Sequence, residues 1–88
     1  MTRQLPAWSH QIKTLRRNCN LTQERLAEQL GVAKKIVADW EQGVQEPSPR
    51  RYIQLAKMAP KEQALWFLDR IGLSSGFLNH LAAASIKD

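Results

Sequence analysis

The stretch AKKIVADWEQG, Ala33 to Gly43, concentrates the chemistry this sequence offers. Two ammonium groups, Lys34 and Lys35, stand where the pattern predicts a helix start, and a carboxylate, Asp39, follows Lys35 by four residues. Lysines at a helix N-terminus oppose the macrodipole, so each is locally unfavourable by roughly 0.3 kcal/mol or more. A phosphate or a guanine edge would offset this, because the helix N-terminus and the ammonium groups attract the same acceptors. Left alone, such a KK pair is more simply two solvated side chains. Asp39 can pair with Lys35 along the helix face for about 0.2–0.5 kcal/mol.

Bond-making chemistry is not in view. There is no nucleophile with a nearby base, no pair of catalytic carboxylates and no phosphate-cradling glycine loop, and 88 residues leave little room for a catalytic cleft. An enzyme is therefore not expected. A lone Cys19, with His10 and His80 far off in sequence, supports neither a disulfide nor a metal site, and no cofactor is expected.

The length limits the chain to one domain with one modest core, expected to span residues 1–88. An apolar content of 43% and three tryptophans argue for a folded chain rather than a disordered tail. The formal charge of +5 permits a polyanionic partner without demanding one. Its distribution is more telling. Residues 1–20 carry Arg3, Lys13, Arg16 and Arg17 without an acid, and residues 47–59 carry Arg50, Arg51 and Lys57, again without one. Without a leader or an apolar run long enough to cross a bilayer, no membrane association and a cytoplasmic location are expected.

The elements that must position these groups read as all-α. SHQIKTLRRN places Ile12 and Leu15 at helical spacing, with Ser9 as a candidate cap and Trp8 ahead of the helix, packing over the bundle edge. Thr22 caps a second helix, QERLAEQL, with Leu26 and Leu30 on one face and Gly31 as its left-handed terminator. A third helix, about 33–42, buries Val37 and Trp40 and stops at Gly43. After the loop VQEPSPR, RRYIQLAKM gives a fourth helix with Tyr52, Ile53, Leu55 and Ala56, halted before Pro60. Pro60 opens a fifth, apolar nearly all round through Ala64, Leu65, Trp66, Phe67, Leu68 and Ile71, and so expected to be buried on more than one side. Gly72 ends it, and Phe77, Leu78, Leu81 and Ala82 suggest a sixth. The expectation is a compact bundle of five helices, or six.

Two short helices joined by a tight turn containing Gly31 form a helix-turn-helix arrangement, with Ala27 small where the helices cross and Leu26, Leu30, Val32, Val37 and Trp40 locking the pair onto the core. LTQERLAEQLGVAKKIVADWEQG resembles the core signature of the phage-repressor and Cro-like (Xre-type) helix-turn-helix family. The resemblance spans residues 12–58 and includes LTQ..LA..LGV, the W-E-x-G exit from the third helix and the E-P-S-P loop. It implies a lambda-repressor-like fold and a sequence-specific transcriptional regulator that binds double-stranded DNA as a two-fold homodimer on a palindromic operator, with the third helix in the major groove. Carried over by position, it makes Gln23 a phosphate or base contact, Lys34, Lys35, Ile36 and Asp39 the outward, base-facing positions, Gln42 with Gly43 a phosphate-binding turn, and Arg50 and Arg51 a backbone clamp. Arg16 and Glu41 match a buried or half-buried ion pair and are assigned to structure.

Two positions depart from the family pattern. Ile36 replaces a small hydroxyl residue, and Asp39 stands where Arg, Lys or Gln is usual. On the DNA reading, Ile36 packs on a thymine methyl, while Asp39 restrains Lys35 and penalises wrong sequences. The apolar segment 60–84 either completes the core or forms the dimer interface. A competing reading makes the chain a protein-interaction module, antitoxin-like or adaptor, that binds a protein through this segment with DNA contact secondary. His80 reads as a polar surface residue and Arg3 as part of an arm within reach of DNA. If these residues are the whole protein, control must come from concentration, a partner or another chain; they could equally open a longer one.

Overall fold

Capping residues and glycines place the helix ends. The computed structural model describes residues 4–73 and forms α1 (Ala7–Asn18), α2 (Gln23–Leu30), α3 (Lys34–Glu41), α4 (Pro49–Met58) and α5 (Lys61–Arg70), with no strand among the described residues. The all-α, five-helix expectation holds. The proposed sixth segment with Phe77, Leu78, His80, Leu81 and Ala82, and the arm residue Arg3, lie outside the described residues. Contacts divide the chain into two units, Met1–Arg51 and Tyr52–Asp88, with the start of α4 in the first.

In the first unit, α1 begins two residues before the expected Ser9. Pro6 precedes it with φ −59°, a value the proline ring imposes and a helix start accepts. Ser9 is therefore not the cap. It lies inside α1, fully buried, and its hydroxyl donates to the Trp40 carbonyl at 2.7 Å, as a buried hydroxyl requires. Trp8, expected ahead of the helix, is in its first turn and buried. At the other end Asn20 takes a left-handed φ of 57°, and the Leu21 amide returns to the Arg16 carbonyl at 3.0 Å.

Helix α2 has both expected ends. The Thr22 hydroxyl accepts from the Arg25 amide at 3.1 Å, and Gly31, at φ 73°, lets the Val32 amide reach the Ala27 carbonyl at 3.0 Å. Helix α3 packs on both α1 and α2. Trp8, Ile12, Leu15, Leu26, Ala27, Leu30, Val37 and Trp40 are the buried apolar residues of this unit. Each large side chain among them is worth about 1.5–3 kcal/mol, against about 1 kcal/mol for a cap, so the apolar faces and not the ends hold α2 on α3.

In the second unit, Tyr52, Leu55 and Ala56 are buried, but Ile53 is 37% exposed and does not join them. Nor is α5 buried on more than one side. Only Phe67 is buried, its ring 6.0 Å from that of Tyr52, while Ala64, Leu65, Trp66, Leu68 and Ile71 are half-buried.

Two glycines separate backbone strain from collision. Gly31→Ala meets no atom within 4 Å and should cost about 1–2 kcal/mol through its positive φ alone. Gly43→Ala has the same strain at φ 74° and sets a methyl 2.7 Å from Pro6 Cδ, so its loss in urea unfolding should exceed that of Gly31→Ala by about 1 kcal/mol or more.

Candidate nucleic-acid interface

The inner side of α3 is held by one charged cluster. Arg16 donates from Nε to Glu41 Oε2 at 2.6 Å and from a second nitrogen to Glu41 Oε1 at 3.0 Å, a two-point contact that fixes orientation as well as distance. The remaining guanidinium arm donates to the Leu21 carbonyl at 2.9 Å. Gln23 adds its side-chain amide to Glu41 Oε1 at 3.2 Å. Three parts of the chain thus converge on one carboxylate: α1, the start of α2, and the end of α3. Hydrogen bonding to Glu41 raises the Arg16 pKa above its ordinary value, partly opposed by desolvation. A raised pKa means that the stability from this pairing is fully present below the ordinary arginine range, neutral pH included, and is lost only in strongly alkaline solution.

The outer side of α3 is uneven. Lys34 and Lys35 are exposed, whereas Ile36 and Asp39 are half-buried, so the four positions expected outward together sit at two levels. Lys35 Nζ lies 3.0 Å from Asp39 Oδ2, and the Lys35 side chain is 81% exposed against 16% for Asp39. Lys34 has no partner among the described residues. Ala33, ahead of the helix, supplies no side-chain cap, which leaves the first amides of α3 facing outward beside the two ammonium groups. Gln42 is exposed, next to Gly43 at φ 74°.

The clamp pair splits. Arg50 is exposed, but Arg51 sends its guanidinium to the Leu30 carbonyl at 2.8 Å, where it satisfies the C-terminal end of α2. Ser48 accepts from the Arg51 amide at 3.4 Å with Pro49 as first residue of α4, a favourable start for a helix.

Sequence reasoning missed three of these supports: Ser9 on Trp40, Pro6 against Gly43, and Arg51 on Leu30. The first carried a signal, since Ser9 lies three residues before Ile12 on the buried face and a helix starting earlier would have placed it there. The other two join residues far apart in sequence and carry none.

A family model described as helix-turn-helix matches residues 12–59, more than half of the chain. The chain belongs to the helix-turn-helix family. Its kind is the Xre-type, lambda-repressor-like one, and the function that follows is DNA binding in transcription regulation. Comparisons with curated proteins and with solved structures give no match. The matched span of this helix-turn-helix protein begins at Ile12, so the Pro6 and Ser9 contacts lie ahead of it. Among the described residues no helix is long and apolar enough to cross a membrane.

Glu41 is 3% exposed at its side chain, so removing its partner strands a charge. Arg16→Met should lower unfolding free energy by about 3 kcal/mol, and Arg16→Met with Glu41→Leu should recover most of it, because a buried ion pair and an apolar pair of similar volume are often equivalent. Urea unfolding of the single and double variants measures both. A double variant no better than Arg16→Met would show that the packing around the pair cannot accept apolar groups.

Proposed function

We propose that this regulator binds duplex DNA by placing α3 in the major groove, as a two-fold dimer on a palindromic operator, and acts by occupying that site inside the cell. The observation that carries this reading is the division of α3 into two faces. Val37, Trp40 and Glu41 are buried on one, and Lys34 and Lys35 stand exposed at an uncapped N-terminus on the other. Positive charge is there concentrated at a helix end that already favours anions, and the inner face supplies the rigidity that groove contacts need.

Within this reading Lys34, with no partner among the described residues, contacts a phosphate or a base edge. Ile36 meets a thymine methyl, and Arg50 with Gln42 and the Gly43 turn engages the backbone. Gln23 faces the same backbone from the start of α2, its amide oriented by Glu41. Arg51 contributes by fixing the end of α2.

A second reading, a protein-interaction module, has one observation in its favour. The second unit carries an apolar groove of about 280 Å³ lined by Ile53, Ala56, Ala64, Leu68 and Leu73, with Lys57 at its edge. On that reading the groove binds a protein and DNA contact is secondary.

Selection of bound duplexes from a random DNA pool at two salt concentrations separates the two. The first reading expects a palindromic motif with half-sites roughly 34 Å apart and affinity that falls steeply with salt. No enrichment would refute it. Lys34→Ala should weaken the selected site by about 1–3 kcal/mol with relaxed choice at one position if it reads a base, or weaken all sequences equally and reduce the salt slope by about 1 if it holds a phosphate.

A further inference from the structure

Among the described residues, Lys35 and Asp39 form the ion pair on the exposed face of α3, and together they place donors beside an acceptor. The ammonium has three N–H donors, of which one is directed at Asp39 Oδ2 at 3.0 Å. Two remain. Oδ2 is held by Lys35, while Oδ1 has no partner among the described residues; since no buried side-chain polar atom there is left unpaired, Oδ1 opens to solvent. One turn of α3 therefore presents two donors beside one acceptor.

We infer that Lys35 and Asp39 act together as a single reading unit for a G·C base pair. Across the major groove, G·C offers two acceptors, N7 and O6 of guanine, and then a donor, N4 of cytosine. O6 and N4 are neighbours joined by a hydrogen bond, about 2.9 Å apart, so an ammonium and a carboxylate that are themselves in contact can address both. The two remaining ammonium protons meet N7 and O6, and Oδ1 accepts from N4. An A·T pair presents acceptor, donor, acceptor in that order. It leaves the ammonium with one acceptor or sets the carboxylate against O4 of thymine, an acceptor facing an acceptor.

The pair also explains why an acidic residue is tolerated on a surface that meets phosphates. Lys35 neutralises Asp39 in place, and the carboxylate sits low, so the outermost charge remains the ammonium. Alone, Lys35 would meet guanine but also any phosphate within reach. Tied to Asp39, it is held away from the backbone, and its two remaining N–H groups are best matched where the carboxylate also gains a donor.

This inference rests on the proposed placement of α3 in the major groove. The test uses the full chain and a random duplex pool, with the native protein, Lys35→Ala, Asp39→Ala and Asp39→Asn. The native motif is expected to hold one G·C column per half-site, with discrimination of roughly 5- to 150-fold over A·T. Lys35→Ala and Asp39→Ala should each reduce discrimination in that same column at least threefold and leave the others unchanged, and the double variant should be no worse than either. Asp39→Asn keeps the shape but adds a donor, and should move that column towards A·T. A native motif in which the two substitutions alter different columns, or in which Asp39→Ala alters none, overturns the inference while leaving the groove placement standing. A native pool without any enrichment overturns both.

Discussion

The Arg16–Glu41 contact is the constraint on which the first unit depends. Glu41 closes α3 and Arg16 lies in the last turn of α1, so their two-point contact fixes the rotation of α3 about its axis and not merely its distance from α1. Rotation matters most in a helix whose two sides do different things. A turn of α3 by one residue position would withdraw Lys35 and bring Val37 to the surface. Hydrophobic burial alone would resist this weakly, because apolar contacts are non-directional. A planar guanidinium on a carboxylate is directional.

Around that contact the chain uses carbonyl groups at helix ends as attachment points. Arg16 takes the Leu21 carbonyl, Ser9 the Trp40 carbonyl, and Arg51 the Leu30 carbonyl. Each satisfies a group that a helix end or a turn leaves without a full set of partners, and the Ser9 and Arg51 contacts join segments that the sequence separates. The consequence for function is a rigid α2–α3 pair whose polar ends are closed on the inner side. The N-terminus of α3, like that of α1, has no side-chain cap, but it alone stands beside two exposed lysines. A helix start with positive charge next to it is a natural complement to an anion.

The departures from the family pattern gain a physical meaning from this arrangement. Asp39 is not a stray negative charge on the outer face of α3, since it sits low and is paired with Lys35. Ile36, half-buried, is partly a core residue, so its apolar character serves packing as well as any contact beyond it. A position that faces the groove in many family members is here partly taken into the fold.

Legibility differed by the kind of interaction. The bounds of α2 could be read from the sequence because Thr22 and Gly31 act on their own neighbours, and Val37 and Trp40 marked the buried side of α3 because helical spacing is local. The Arg16–Glu41 pairing came from resemblance, and its geometry needed the fold. The start of α1 was misplaced because Ser9 has the chemistry of a cap, and only the position of Trp40 gives its hydroxyl another acceptor. The apolar residues of α5 were expected to be buried because they run nearly all round the helix, but depth of burial is a property of neighbours, and of these residues only Phe67 is fully enclosed. By itself, then, the sequence determined the helix type, most helix ends, the family and which residues carry charge. The tertiary structure alone decided which arginine holds a helix end and which stays exposed, and how deep each residue of α3 lies. Those properties depend on partners 21 to 31 residues away in the chain, beyond the range of any local pattern.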